Sequence, residues 1–254
     1  STAPVLCVDV PSGLDADSGQ HLLGTREQAL PGRRHTLSLL TLKPGLFTAD
    51  GRDQAGTVWF DDLEICAPPD VPVSAVLHGA APARERPHAS HKGSQGDVVV
   101  LGGQDISLHG VGMTGAAVLA ARAALHAGAG RVYLCLLGTD GAAGSPAWDP
   151  DCPELMFRRW PALHGSAVLE QACVVCGCGG GQAVAAVLPE TLQRARQLVL
   201  DADALNAIAE NPELQDALRQ RSVRGQTTAL TPHPLEAARL LGTTTATVMA
   251  DRLG

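Results

Sequence analysis

Four short stretches combine residue types that do chemistry at spacings a ligand can use. In VDVPSGLDADSG, Val8 to Gly19, a carboxylate (Asp9) and a hydroxyl (Ser12) stand three residues apart where an apolar run ends. Such a pair can hold a cation or a ribose, although Pro-Ser-Gly is also ordinary turn chemistry. In LDADALN, Asp201 and Asp203 close another apolar run and Asn206 opens the next segment. One acid there would serve as a helix N-cap; two favour a polar ligand or a metal-phosphate site. In LTPHPLEAARLLG, prolines flank His233 and fix its backbone. The imidazole is then held at a strand-to-helix junction, and the prolines are expected to hold that turn without its help. The fourth stretch, CVVCGCGGGQ, reads either as a metal site or as a strand ending in a glycine loop.

The spacing decides between those readings. A structural zinc site takes four ligands, as a rule in two paired clusters. No second C-x-x-C occurs, and the nearest histidine, His164, lies upstream of an apolar stretch. Cys173 and Cys176 stand where a buried strand carries small apolar residues, and a free cysteine behaves as one. The glycine reading is preferred: Gly177, Gly179, Gly180 and Gly181 form a loop that a ligand approaches closely.

The elements that position these stretches follow from the apolar pattern. From residue 97 onward, apolar runs (DVVVLGG, RVYLCLL, ACVVCGC, LVL, TTAL) alternate with helical segments (MTGAAVLAARAALHAGAG, QAVAAVLPETLQRARQ, NPELQDALRQ, PLEAARLLG). This alternation predicts a mostly parallel sheet covered by helices, with ligands beyond the carboxyl ends of its strands. PELM is expected to lie in a loop. The first 70 residues show three strand-like runs (PVLCVDV, HTLSLLTLK, GTVWFDDLEI) with almost no covering helix beyond a turn near TREQAL. A stretch rich in Pro, Ala, Arg and His separates the two regions. The expected division is 1–70, a linker at 71–92, and 93–254.

Composition excludes several classes. The chain of 254 residues is 45% apolar but only 3% aromatic, so its core must be built from Ala, Val and Leu. A net charge of −7 leaves no basic footprint for nucleic acid. No apolar run approaches the roughly 18 residues that span a bilayer, and the first residues lack a basic signal-peptide region. Seven scattered cysteines argue for a reducing, cytoplasmic setting over a disulfide framework. Self-association is left open.

As a set, VDVPSGLDADSG, LTLKPGLFTADG, HKGSQGDVVVLGG, MTGAAVLAARAALHAGAG, PELM, LDADALN and LTPHPLEAARLLG resemble, in order and over nearly the whole chain, the bifunctional NAD(P)H-hydrate repair enzymes. In that family an epimerase precedes an ADP- or ATP-dependent dehydratase of ribokinase-like fold. The resemblance implies an α/β ribokinase-like domain, incomplete here, preceded by the C-terminal part of a Rossmann-like epimerase. It implies a hydrated nicotinamide dinucleotide as substrate, ADP or ATP with Mg²⁺, and K⁺. Asp9 matches the residue on the hydrated nicotinamide and Ser12 a potassium ligand. Val111 matches a small residue lining the substrate pocket, usually Ala. Gly177, Gly179 and Gly181 stand where the family shows GPGLG. His233 matches a substrate-contacting histidine, and Asp201, Asp203 and Asn206 fall in the family's LDADALN motif. The family phosphorylates the ring hydroxyl of the hydrate and then eliminates phosphate, chemistry served by close backbone approach, Mg²⁺ and a carboxylate base.

Three departures stand out. GCGGG replaces GPGLG, and Leu235 stands where Gly is usual. The late GxGD motif that carries the carboxylate base is absent, since GSQGD (Gly93 to Asp97) precedes the first strand of its domain and is rejected. The catalytic aspartate is therefore expected beyond residue 254, the chain is expected to be an internal piece of a longer protein, and by itself it is expected not to dehydrate the hydrate. Another ribokinase-like kinase of a vitamin precursor and a non-catalytic cofactor-binding remnant remain as alternatives.

Overall fold

The computed structural model describes residues 3–22, 33–66, 68, 70–80, 85–138 and 148–253. The chain divides into two compact units, Ser1–Ala83 with Thr245–Gly254, and Arg84–Thr244. The expected turn near TREQAL lies outside the described residues. Among the described residues, no helix is long and apolar enough to cross a membrane.

The first unit holds three parallel strands, β1 (Val5–Val8), β2 (Arg34–Leu39) and β3 (Thr57–Asp61), in that order. Leu14, Leu46 and Ala55 form a small core with Val10, Phe47 and Val58 packed on it. Val5, Leu6 and Val8 of β1 and Trp59 and Phe60 of β3 remain exposed, as expected of strands with little helix to cover them. Both β1 and β2 hand over to a left-handed residue that is not glycine, Asp9 (φ 69°) and Leu40 (φ 64°). The chain therefore turns sharply at the carboxyl end of each strand.

The second unit is a six-stranded, wholly parallel sheet. Its strands are β4 (Asp97–Gly102), β5 (Arg131–Leu136), β6 (Met156–Phe157), β7 (Cys173–Cys176), β8 (Gln197–Leu200) and β9 (Thr227–Leu230), in the order β6-β5-β4-β7-β8-β9. The central strands are apolar at consecutive positions because both of their faces are covered. Val99, Leu101, Tyr133 and Cys135 face one layer with Val174 and Cys176, whereas Val100, Val132, Leu134 and Leu136 face the other. On that second face the helix Thr114–His126 buries Ala117 and Ala121 completely. These lie four residues apart on one stripe, and their small side chains let the helix sit close to the sheet.

Sheet topology locates the site. The chain builds outward from β4 through β5 to β6, then returns to place β7 on the other side of β4. The chain thus reverses direction across the sheet between β4 and β7, the switch point at whose carboxyl end open parallel sheets bind ligands.

Two local expectations are corrected. PELM is not all loop, because Met156 begins β6, a strand of two residues and too short to show alternation. Asn206 does not open a new segment: the helix Asp203–Glu210 starts at the second aspartate of the Asp-Ala-Asp turn, and Asn206 lies inside it.

Candidate functional site

Leu101 of β4 pairs with Cys176 of β7, and hydrogen bonding continues past both strand ends. Gly177 N–H donates to Leu101 O (3.0 Å), Gly103 N–H to Cys178 O (3.0 Å) and Gln104 N–H to Gly179 O (2.6 Å). The β4 loop and the glycine loop thus form one rigid rim at the switch point.

The glycines are required by protein packing. A Cβ on Gly177 (φ 119°) would stand 1.9 Å from Asp201 O, and one on Gly179 (φ 59°) would stand 2.5 Å from Met113 O. Both residues also adopt backbone that L side chains rarely reach. The amides of Gly177, Gly180 and Gly181 donate to Leu101 O, Gly177 O and Asp203 Oδ2. Packing against the neighbouring loops is by itself a sufficient reason for these glycines, and those loops take up three of the amides.

Asp201 and Asp203 are engaged in the same way. Asp201 accepts from the Thr231 hydroxyl (2.7 Å) and from the Cys178 thiol (3.3 Å), and Asp203 accepts from Gly181 N–H (2.8 Å). Between them Ala202 holds φ 45° and ψ −112°, a strained conformation for a residue with a Cβ. The turn is locked because both of its acids hook the glycine loop. Asn206 reaches elsewhere, its Oδ1 accepting from Arg239 at 2.5 Å.

The cysteines of β7 behave as core and clamp. Cys173 and Cys176 are three residues apart on a strand, so they point to opposite faces. Cys176 is fully buried, and burial pushes its thiol far above the ordinary value. Cys178 is pushed up to about 12, first by burial and then by its hydrogen bond to Asp201. It is a neutral donor.

His233 caps the helix Pro234–Leu241. Its Nδ1 accepts from Leu235 N–H (3.1 Å) and Glu236 N–H (3.4 Å), while Glu236 accepts from His233 N–H (2.9 Å). Its Nε2 lies 3.0 Å from the second oxygen of Glu236, whose side chain is only 4% exposed. The expectation that the prolines hold this turn without the imidazole is corrected, because the ring supplies the N-cap.

Val111 is exposed on the loop before the Thr114–His126 helix. It is brought to the glycine loop by Gln104, a buried residue that the sequence reading passed over. The signal available there was slight: a polar residue directly after Gly102 and Gly103 at a strand end.

In the first unit, Asp9 accepts from Leu39 N–H (3.1 Å) and is paired with the Lys43 ammonium, which also donates to Leu39 O (2.6 Å). The hydrogen bond from Lys43 holds this carboxyl below the usual carboxylate range. Ser12 is exposed.

Asp9, Asp201 and Asp203 as placed do not fit a resident metal. Each oxygen of Asp201 and one of Asp203 already accepts a proton donor, and Asp9 is already neutralised by Lys43. Among the described residues, no group of three or more His, Cys, Asp or Glu is disposed to hold a metal ion.

These features define a class: a parallel α/β domain whose glycine-lined site sits at the switch point of its sheet. The family described as NAD(P)H-hydrate dehydratase matches residues 97–253, and the chain belongs to it. It is 34% identical over 264 residues to the bifunctional NAD(P)H-hydrate repair enzyme Nnr of Vibrio cholerae, covering 99% of this chain and 48% of that protein. It is 38% identical over 171 residues to the ADP-dependent (S)-NAD(P)H-hydrate dehydratase of Neisseria meningitidis, covering 66% and 53%. The ADP/ATP-dependent NAD(P)H-hydrate dehydratase of Bacillus subtilis, co-crystallised with ATP/Mg²⁺, aligns over 66% of this chain and 55% of its own at 25% identity and a TM-score of 0.45. The chain spans about half the length of the curated relatives it matches.

Proposed function

We propose that the protein restores hydrated nicotinamide cofactors, dehydrating NAD(P)H-hydrate to NAD(P)H with consumption of ADP or ATP. The observation that carries this reading is the convergence of the Val111 loop, the glycine loop and the Asp-Ala-Asp turn at the switch point, all within the family-matched residues. The dependence on ADP named for the Neisseria relative supports the nucleotide.

The reaction balances as follows. The nucleotide's terminal P–O bond breaks as the hydrate's ring hydroxyl gains the phosphoryl group and gives its proton to a base. The C–O bond then breaks, phosphate leaves, and the adjacent ring carbon loses a proton to restore the double bond. In this reading Val111, Gly177, Gly179, Gly181, Asp201, Asp203, Asn206 and His233 belong to the hydrate side. Asp201 and Asp203 act through the loop they hold, and Asn206 acts through Arg239. Mg²⁺ would enter with the nucleotide, its ligands not drawn from these acids.

The first unit is read as an epimerase part, with Asp9 on the hydrate. The strained Asp9 backbone and its pairing with Lys43 at the carboxyl end of β1 favour this, as does an alignment to the Vibrio enzyme over 99% of the chain.

The test takes a protein that comprises this chain and the late GxGD segment expected after it, incubates it with NADH-hydrate or NADPH-hydrate, and follows the absorbance of the reduced nicotinamide. Recovery that requires ADP or ATP is the expected result. Recovery that ignores the nucleotide overturns the dehydratase reading. Phosphorylation of a vitamin-precursor alcohol without any recovery would favour a small-molecule kinase.

A further inference from the structure

We infer that Gln104 is a positioning residue for the hydrate: it sets the separation between the Val111 loop and the glycine loop. The inference rests on the dehydratase reading for its link to substrate, and on geometry for the rest.

Gln104 is 4% exposed and forms four hydrogen bonds to two loops. Its backbone N–H donates to Gly179 O (2.6 Å) and its carbonyl accepts from Met113 N–H (3.0 Å). Its side-chain Nε2 donates to Val111 O (3.3 Å), and its Oε1 accepts from Ala183 N–H (3.4 Å). The two ends of one amide therefore tie two segments together, the Val111 loop and the helical turn that follows the glycine loop. A donor meets a carbonyl on one side and an acceptor meets an N–H on the other, so the orientation of the amide is fixed by its partners.

Gly181 completes the arrangement. A Cβ there would stand 2.2 Å from Gln104 Oε1 and 2.5 Å from its Cδ. The space left by the missing side chain is the space the amide fills. Gln104 and Gly181 are thus a matched pair, and neither can be read from its neighbours in sequence. No other side-chain hydrogen bond among those described links the Val111 loop to the glycine-loop segment.

A buried amide that bridges two substrate-bracketing segments sets their spacing without touching the reacting atoms. Its loss should weaken hydrate binding and leave nucleotide binding alone. Two variants separate geometry from folding. Gln104→Glu keeps the shape and the acceptor for Ala183 but sets a carboxylate oxygen against Val111 O. Gln104→Met fills the space without hydrogen bonds or charge.

Two measurements are made on each variant: steady-state kinetics in the protein that includes the GxGD segment, with hydrate and nucleotide varied separately, and backbone hydrogen exchange over residues 110–113 and 181–184. Losing one or two such bonds corresponds to about a 10-fold rise in KM for hydrate. The KM for nucleotide and kcat should stay near wild type. Exchange should accelerate in both segments and not within 117–125. Unchanged exchange in 110–113 and 181–184 overturns the inference, as does an equal rise of both KM values. If wild-type protein that includes the GxGD segment shows no turnover, the dehydratase reading fails, while the exchange data still decide whether Gln104 spaces the loops.

Discussion

Replacing His233 by Ala should destabilise the second unit measurably. The change removes the acceptor that satisfies the N–H groups of Leu235 and Glu236. Loss of an N-cap costs about 1 kcal/mol, within a range of roughly 0.5–2. It also removes the Nε2 group 3.0 Å from the Glu236 carboxylate, which is buried and keeps only the backbone N–H of residue 233 on its other oxygen. An unpaired buried acceptor costs about 1–3 kcal/mol. The imidazole itself is 58% exposed, so water can replace part of what is lost and the low end applies. The sum is about 2 kcal/mol, or a fall of roughly 4–8 °C in Tm for a unit of this size. His233→Asn supplies a side-chain oxygen of good capping reach but no contact to Glu236, and should recover about half of the loss. Thermal unfolding of the three proteins, followed by circular dichroism, makes the comparison. A Tm for His233→Ala within roughly 1 °C of wild type would refute the capping argument. Because His233→Asn largely keeps the cap, its hydrate KM then reports separately on the imidazole as a ligand group.

Three further outcomes are expected. Lys43→Met should raise the Asp9 carboxyl toward its ordinary value; the folded-state value is depressed, so the pair stabilises above the unfolded value and is lost as pH falls through the folded one. Acid unfolding in the carboxylate range, below about pH 4, should therefore shift to higher pH in the variant, and an unmoved midpoint counts against the pairing. Gly177→Ala should cost about 3 kcal/mol or more, because strained backbone adds to a clash with Asp201 O, whereas Gly180→Ala at φ −75° should cost far less; equal losses in denaturant titrations would contradict the loop geometry. Cys173, Cys176 and Cys178 should bind no stoichiometric zinc by elemental analysis, and Cys178 should alkylate slowly at neutral pH but faster in Asp201→Asn, because removing the neighbouring negative charge lowers its thiol. Equal alkylation rates in the two proteins would show that Asp201 does not hold that thiol.

Much of the second unit was legible in the sequence, because local pattern encodes it. Consecutive apolar residues at Val98 to Leu101 and Val132 to Leu136 report strands covered on both faces. Ala117 and Ala121 report a helix stripe, and the glycines after Cys176 report backbone that other residues cannot adopt. Residues of the candidate site were also visible as polar types at strand ends. Their partners were not. Asp201 and Asp203 read as ligand groups, yet Cys178, Gly181 and Thr231, each some 20 to 30 residues away, take their oxygens. Gln104 gave almost no signal, since one of its side-chain bonds reaches 79 residues along the chain. Periodicity and turn chemistry act over a few residues and set backbone and burial. Which donor meets which acceptor depends on how β4, β7, β8 and β9 are ordered across the sheet, and that order is decided only when the whole chain packs.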